Sequence, residues 1–298
     1  MSVPAPRRRR ALLIWNPRAG QRVARRSMPE IRRVLSSEFD LTVEATSGPE
    51  HCREIARRAV AERFELFIVV GGDGTLRVAA SVLAGTDVVL GAIPGGTTNV
   101  VAGALGLPVH PVAAARALVV AETREIDLGE SNGEPFLMQL SGGLDAQVMA
   151  HVNLRTKRLL GKGAVALAGL SEWFRYRFPQ FTLEIDGVEA MATGFVVANL
   201  PQYAGQFEIV PQARPDDRRL ELLLFHGRRR RDAVGFALAL ARGRHLERSD
   251  VELRSFTTLR LTSPAALQLQ ADGDAFVAAA PLVVGLAAKR LKVLAARS

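Results

Sequence analysis

One cysteine, two tyrosines and two tryptophans in 298 residues leave this chain little redox or stacking chemistry. Cys52 alone cannot form an intramolecular disulfide. It falls on an apolar helical face, so packing is its expected role and a reducing cytoplasm its expected setting. Aromatic residues make up 6% of the chain and do not interleave with its basic runs. The stacking platforms of a nucleic-acid binder are therefore missing, and no nucleic-acid partner is expected. Long hydrophobic runs are missing too. The longest strongly apolar stretch outside the expected strands, 233–241, falls far short of the ~20 residues that span a bilayer. The basic run 7–10 and short apolar run 11–15 are followed by no signal-peptide core or cleavage pattern, so secretion is not expected. Lysine occurs only at 157, 162, 289 and 292, and the formal charge of +9 comes almost entirely from arginine. Two explanations stand: an arginine-rich composition spread over solvated faces, or attraction to an anionic surface.

What is present is enough apolar residue for real cores, 48% of a chain whose length suits about two domains. Segments 11–16, 41–46, 65–70 and 88–93 read as strands. Between the second and third, Cys52, Ile55, Ala56, Ala59 and Val60 follow the i, i+3, i+4, i+7, i+8 spacing of one helical face. Alternation of this kind predicts an α/β domain with a parallel sheet covered on both faces. After about Arg124 strand follows strand, at 136–141, 181–185, 190–198, 220–225, 258–262 and 267–271, with Asp186-Gly187 as a hairpin turn. Two helical stretches, 146–160 and 164–176, interrupt the series. The expected division is 1–124 for the α/β domain and 125–298 for a β-rich, mainly antiparallel domain, with a final strand near 282–296 returning to the first.

Three expected strands of the first domain end in polar turns. The third gives Gly71-Gly72-Asp73-Gly74-Thr75, with a helical pattern from Leu76. The first gives Asn16-Pro17-Arg18-Ala19-Gly20, and the fourth Pro94-Gly95-Gly96-Thr97-Thr98-Asn99. Ligands of open α/β sheets bind beyond the carboxyl ends of strands, where glycines let amides approach phosphate oxygens and the next helix presents its positive end. Asp73 would be repelled by phosphate unless a metal or a ribose hydroxyl stood between them, which points to a nucleotide with Mg²⁺. The structural alternative is a tight turn capped by Asp73 or Thr75. Competing motifs are absent: no GxxxxGK[ST], no GxGxxG after the first strand, no HExxH and no GxSxG.

NPRAG, GGDGT and PGGTTN in that order resemble the diacylglycerol-kinase catalytic family, which is related to sphingosine kinases and more distantly to NAD kinases. The resemblance continues through Gly142-Gly143-Leu144-Asp145-Ala146, Asn199 to Gly205 with Pro211, the Asp216-to-Glu221 block and Asp272-Gly273-Asp274, covering essentially the whole chain. It implies an NAD-kinase-like or phosphofructokinase-like first domain, with ATP and Mg²⁺ as cofactors. Implied nucleotide contacts are Asn16, Thr46, Gly71, Gly72, Asp73, Gly74, Thr75, Leu76, Arg77 and Thr97, with Asp73 nearest the metal and phosphates. The family's general base is a glutamate, where this chain has Asp274. On spacing alone, 272–274 reads equally as a turn. A structural Mg²⁺ site is implied at Asp217 with the carbonyls of Arg214 and Arg219, although Arg218 replaces the turn glycine. Val100 stands where many members have aspartate. Asp145 is either a helix-start residue or a contact to the lipid head group. The implied acceptor is a lipid hydroxyl, most simply diacylglycerol, met by a cytoplasmic protein at the inner face of the membrane, with a second copy of the chain as a candidate partner. Arginines 228–231 beside 233–241 are either a membrane contact or a solvated turn leading into a core helix. A kinase for NAD or a small soluble acceptor, and a catalytically silent lipid- or nucleotide-binding protein, are the alternatives.

Overall fold

Four β-rich segments of the first half form the parallel strands β1 (Arg10–Trp15), β2 (Asp40–Ala45), β3 (Leu66–Gly71) and β4 (Val89–Pro94), in the spatial order β2-β1-β3-β4. This is a computed structural model describing residues 7–17, 22–151, 176–203, 207–262 and 266–297. β3 and β4 are buried along their whole length, as an apolar run covered on both faces must be. The crossovers are helical: α1 (Arg22–Glu38), α2 (Pro49–Ala61) and α3 (Asp73–Leu83), with α4 (Val100–Ala104) and α5 (Pro111–Val119) after β4. Cys52, Ile55, Ala56 and Ala59 form the buried face of α2, and burial pushes the Cys52 thiol up to about 11.

β5 (Glu122–Ile126) completes this sheet indirectly, for the strand Leu291–Ala295 lies between it and β4. Only the second half of the expected 282–296 strand returns here. Leu282–Leu286 pairs elsewhere, and Arg290 marks the break by donating to the Glu125 carbonyl at 2.9 Å and accepting Gly85 N–H at its own carbonyl, 2.8 Å. By its contacts the chain divides into residues 1–126 with 290–298, and 127–289.

The second unit contains β6 (Gly129–Ser131), β7 (Glu134–Phe136), β8 (Gln139–Gly142), α6 (Leu144–His151), β9 (Phe181–Ile185), β10 (Val188–Ala192) and β11 (Gly194–Ala198). After these come β12 (Gln202–Tyr203), β13 (Phe207–Glu208), β14 (Leu220–Phe225), α7 (Arg230–Ala241), β15 (Val251–Phe256), β16 (Thr258–Leu261), β17 (Leu267–Ala271), β18 (Asp274–Ala278) and β19 (Leu282–Leu286); Leu291–Ala295 is β20. Two antiparallel sheets, β10-β9-β16-β19-β6-β7 and β15-β14-β11-β8-β17-β18, enclose an apolar core that includes Phe136, Phe195, Leu222, Leu259, Leu269 and Val284. Alternating inward apolar residues close such a sandwich.

Two segments read as single strands turn out to switch between sheets. The 136–141 segment breaks after Phe136, where the Asp272 carboxylate accepts the amides of Leu137 and Met138, both at 2.7 Å, and of Gln139 at 3.0 Å. The 190–198 segment breaks at buried Thr193, whose hydroxyl lies 3.0 Å from the Phe225 carbonyl and 2.6 Å from that of Gly227. Asp272 satisfies backbone amides that leave one ladder before joining the next, whereas Thr193 fastens the second switch to the end of the strand 220–225. Asp186 (φ 48°) and Gly187 (φ 84°) make the β9–β10 hairpin turn, as the Asp-Gly pair indicated. Residues 18–20 of the first turn, Gly205 and most of the 146–176 helical stretches lie outside the described residues. Among the described residues no helix is long and apolar enough to cross a membrane.

Candidate active site

Because β1, β3 and β4 are parallel and in register, their following turns share one edge of the first sheet. The β3 and β4 turns meet backbone to backbone. A Cβ on Gly96 would lie 2.5 Å from the Gly72 Cα, and one on Gly95 would lie 3.0 Å from the Gly71 nitrogen. Glycine is required at these contacts because any side chain would force the turns apart. Gly74 is different: a Cβ there would meet nothing within 4 Å, although glycine in a helical turn is unfavourable. A cradle left open without internal need suits a ligand that approaches the backbone closely.

Asp73 ties the two turns together. Its carboxylate, 8% exposed, accepts the Thr98 hydroxyl at 2.9 Å through Oδ2 and the Val101 amide at 3.0 Å through Oδ1. Asn99, left-handed at φ 51°, closes the β4 turn by accepting Gly96 N–H at 2.8 Å and donating to the Gly96 carbonyl at 2.9 Å. α3 begins at Asp73, three residues before the expected start, and its first amides have no carbonyl of their own helix to meet. Thr75 and Leu76 already donate to the Gly72 carbonyl, at 3.0 and 3.2 Å, so the amides of Asp73 and Gly74 are the ones that stand at the positive end of the helix dipole. Thr97 and Thr98 are exposed on the opposing turn.

Other expected contacts fall differently. Leu76 is 1% exposed, and its amide already donates to the Gly72 carbonyl at 3.2 Å, so it packs the helix. Thr46 is buried at the end of β2 and uses its hydroxyl in its own turn, donating to the Gly48 carbonyl at 2.9 Å. Asn16 ends β1 beside the β3 turn, its amide 3.4 Å from the Val70 carbonyl. Val100, noted from the sequence as standing where many members of the resembled family have aspartate, is buried at the start of α4.

In the second unit the Asp272-Gly273-Asp274 turn joins β17 to β18. Asp272 (φ 52°) faces inward on the three amides already described, whereas Asp274 is exposed. Gln270 steadies the turn from beneath: its Oε1 accepts Gly273 N–H at 2.8 Å, and its amide donates to Ser141 Oγ at 2.6 Å. Ser141 in turn bonds Asp145 Oδ2, which Tyr203 also reaches at 3.2 Å. Burial pushes the Asp145 carboxyl above its usual range, against the pull of Ser141, Tyr203 and Gln270. Burial and then the Asp145 charge push the Tyr203 hydroxyl up as well.

Two family models match the chain in order: the diacylglycerol kinase catalytic domain over residues 10–131, and the YegS C-terminal NAD kinase beta sandwich-like domain over 138–295. A diacylglycerol kinase of Mycobacterium tuberculosis is 32% identical over 265 residues, 86% of this chain and 85% of the relative. The chain belongs to the diacylglycerol kinase family. A Bacillus subtilis diacylglycerol kinase is 26% identical across 89% of this chain and 90% of its own. A probable YegS-like lipid kinase of Pseudomonas aeruginosa is 35% identical over 65% of this chain and 66% of its own. A solved Bacillus anthracis diacylglycerol kinase shares the fold, with a TM-score of 0.72 at 19% identity over 96% of each chain.

This member of the family departs from expectation at the Asp217 turn. Asp217 is exposed, and its Oδ1 already accepts the Arg219 amide at 3.1 Å. Arg218 adopts φ 62°, where glycine is favoured, and places its amide 2.7 Å and its guanidinium 3.1 Å from the carboxylate of Asp127, which is fully buried. The turn expected to hold a divalent ion thus carries a cation of its own, Arg218, between Asp217 and Arg219 in sequence, with its guanidinium on Asp127. Among the described residues no group of three acidic, His or Cys side chains could hold a metal. Asp272, Gln270, Ser141 and Tyr203 had no role in the sequence reading. Period-two alternation hides polar residues that face inward at a sheet switch.

Two expectations follow. Gly96→Ala should weaken nucleotide binding at least tenfold and lower stability by about 1–3 kcal/mol, since the added methyl overlaps the β3 turn. Equilibrium dialysis and thermal unfolding check it. Asp145 has a folded pKa raised above its unfolded value, so its contribution to stability is present at acid pH and is lost as pH rises through the folded value. Asp145→Asn should therefore flatten the decline of the unfolding midpoint from acid to neutral pH. Equal slopes for the variant and the wild type would count against the enclosed-carboxyl account.

Proposed function

We propose that this diacylglycerol kinase family member transfers the γ-phosphoryl group of ATP to a lipid hydroxyl, most simply that of diacylglycerol. The observation that carries the reading is the pair of glycine turns pressed together and pinned by Asp73, with the open position at Gly74 beside the α3 amides. That cradle fits a polyphosphate. Mg²⁺ would arrive on the nucleotide phosphates, in keeping with its habit of using one or two carboxylates rather than an all-protein cage, and would neutralise their charge. Asp73 is the carboxylate nearest them.

The chemistry is in-line displacement. The lipid oxygen forms a bond to the γ-phosphorus while the bond to the bridging oxygen breaks, and ADP leaves with that electron pair. The hydroxyl proton passes to the exposed carboxylate of Asp274, whose turn is fixed by Asp272 and Gln270. A lipid acceptor is supported by relatives named diacylglycerol kinase that match through the second unit as well as the first. The protein acts in the cytoplasm, peripherally at the membrane.

A panel of acceptors tests the substrate class. With labelled ATP and Mg²⁺, diacylglycerol is expected to take the label ahead of phosphatidylglycerol, a sphingoid base and NAD. Label in NAD alone would transfer the site to the soluble-acceptor reading. Nucleotide binding with no labelled product would mark a silent protein.

A further inference from the structure

One part of the sequence reading of residues 228–241 fails in α7: none of its 12 residues is buried. It is no core helix. Phe236 and Leu240 pack partly against a small apolar cluster, and Arg248 lies against Gly235, where a Cβ would meet its guanidinium at 2.6 Å. The opposite stripe runs through Val234, Ala237, Leu238 and Ala241, all exposed, with Val234 at 42% and Leu238 at 51%. These positions follow helical spacing and form one continuous face about 12 Å long.

Arginines bracket that face. Residues 228–231 are all exposed at the helix N-terminus, and exposed Arg242 and Arg244 follow its C-terminus. Four cations at the positive end of a helix oppose its dipole. Asp232 relieves them in part, accepting the amides of Arg228 at 3.1 Å and Arg229 at 3.0 Å. Local helix physics does not call for this charge, but an anionic surface does.

We infer that α7 is a docking surface for an anionic bilayer, lying in the interface with Val234 and Leu238 inserted and arginines 228–231 and 242 in the phosphate layer. A short helix with an apolar stripe and basic ends is the form that binds there, its arginines reaching the phosphates while their stems cover the apolar edge. This deepens the lipid-kinase reading by specifying how the enzyme meets an acceptor held in a membrane.

The test is vesicle co-sedimentation of the full chain without nucleotide, using phosphatidylcholine alone or with phosphatidylglycerol added. Wild type should sediment only with the anionic vesicles and release as salt rises. V234S/L238S should lose about tenfold in binding, and R228Q/R230Q/R231Q about fivefold for each charge removed, with unfolding midpoints unchanged. Wild-type failure to bind, or variants that bind as wild type does, would overturn the docking surface. So would gel filtration showing that V234S/L238S converts a dimer to a monomer, since the face would then hold a second copy. Kinase assays on a short-chain acceptor dissolved without vesicles keep the two claims apart. Activity there with no vesicle binding removes the docking surface alone, and vesicle binding without activity removes the kinase reading alone.

Discussion

Asp73→Ala is expected to lower phosphoryl transfer by about a hundredfold or more, the scale of loss that follows a misplacement of roughly 1 Å in reacting groups. The carboxylate links the start of α3 to both Thr98 and Val101, so its loss loosens the far end of the β4 turn while the Gly95 amide still holds the Gly71 carbonyl at 2.9 Å. A buried amide left without its acceptor adds about 1–3 kcal/mol of destabilisation. Asp73→Asn separates scaffold from charge. Its amide oxygen can accept Val101 N–H while its NH₂ donates to Thr98, because a hydroxyl serves in either direction. The Asn variant should keep the wild-type unfolding midpoint yet lose at least tenfold in kcat. Wild-type activity in both variants would show that Asp73 is only a helix-start residue.

Asp274→Asn should reduce kcat by about 10²–10⁴-fold, the range for removal of a general base, and leave KM for ATP and thermal stability unchanged. The expectation rests on the division of labour within the turn. Asp272 holds it to the β7–β8 switch and Gln270 holds Gly273, while Asp274 is exposed at the start of β18. Asp274→Glu, with the same acid one methylene longer, should retain measurable transfer. Equal kcat for wild type and Asp274→Asn would reduce 272–274 to a turn and require another base. Single-turnover assays with saturating ATP distinguish loss of chemistry from loss of binding.

The parallel sheet was legible because its central strands are continuous apolar runs and α2 displays an unbroken helical face. The glycine turns were legible as turns, but their reason was not: contact of Gly72 with Gly96 joins segments that sequence reading treats separately. For the same reason Asp73 was read as ligand chemistry or a local cap, and its bonds to Thr98 and Val101 were not seen. The sheet switches at Leu137 and Thr193 were invisible, since apolar residues flank them on both sides and only the long-range bonds of Asp272 and Thr193 break the strands. Arg218 shows a third kind of gap. Its departure from glycine was plain, but its partner Asp127 lies 91 positions away.

Transfer of labelled γ-phosphate from ATP into the lipid phase tests the central claim most directly. With diacylglycerol in mixed micelles and Mg²⁺, the wild type should yield a labelled phospholipid acid that appears in step with ADP, and Asp73→Ala should yield at least about a hundredfold less. Unlabelled lipid beside wild-type protein that binds ATP in the same micelles would contradict the account.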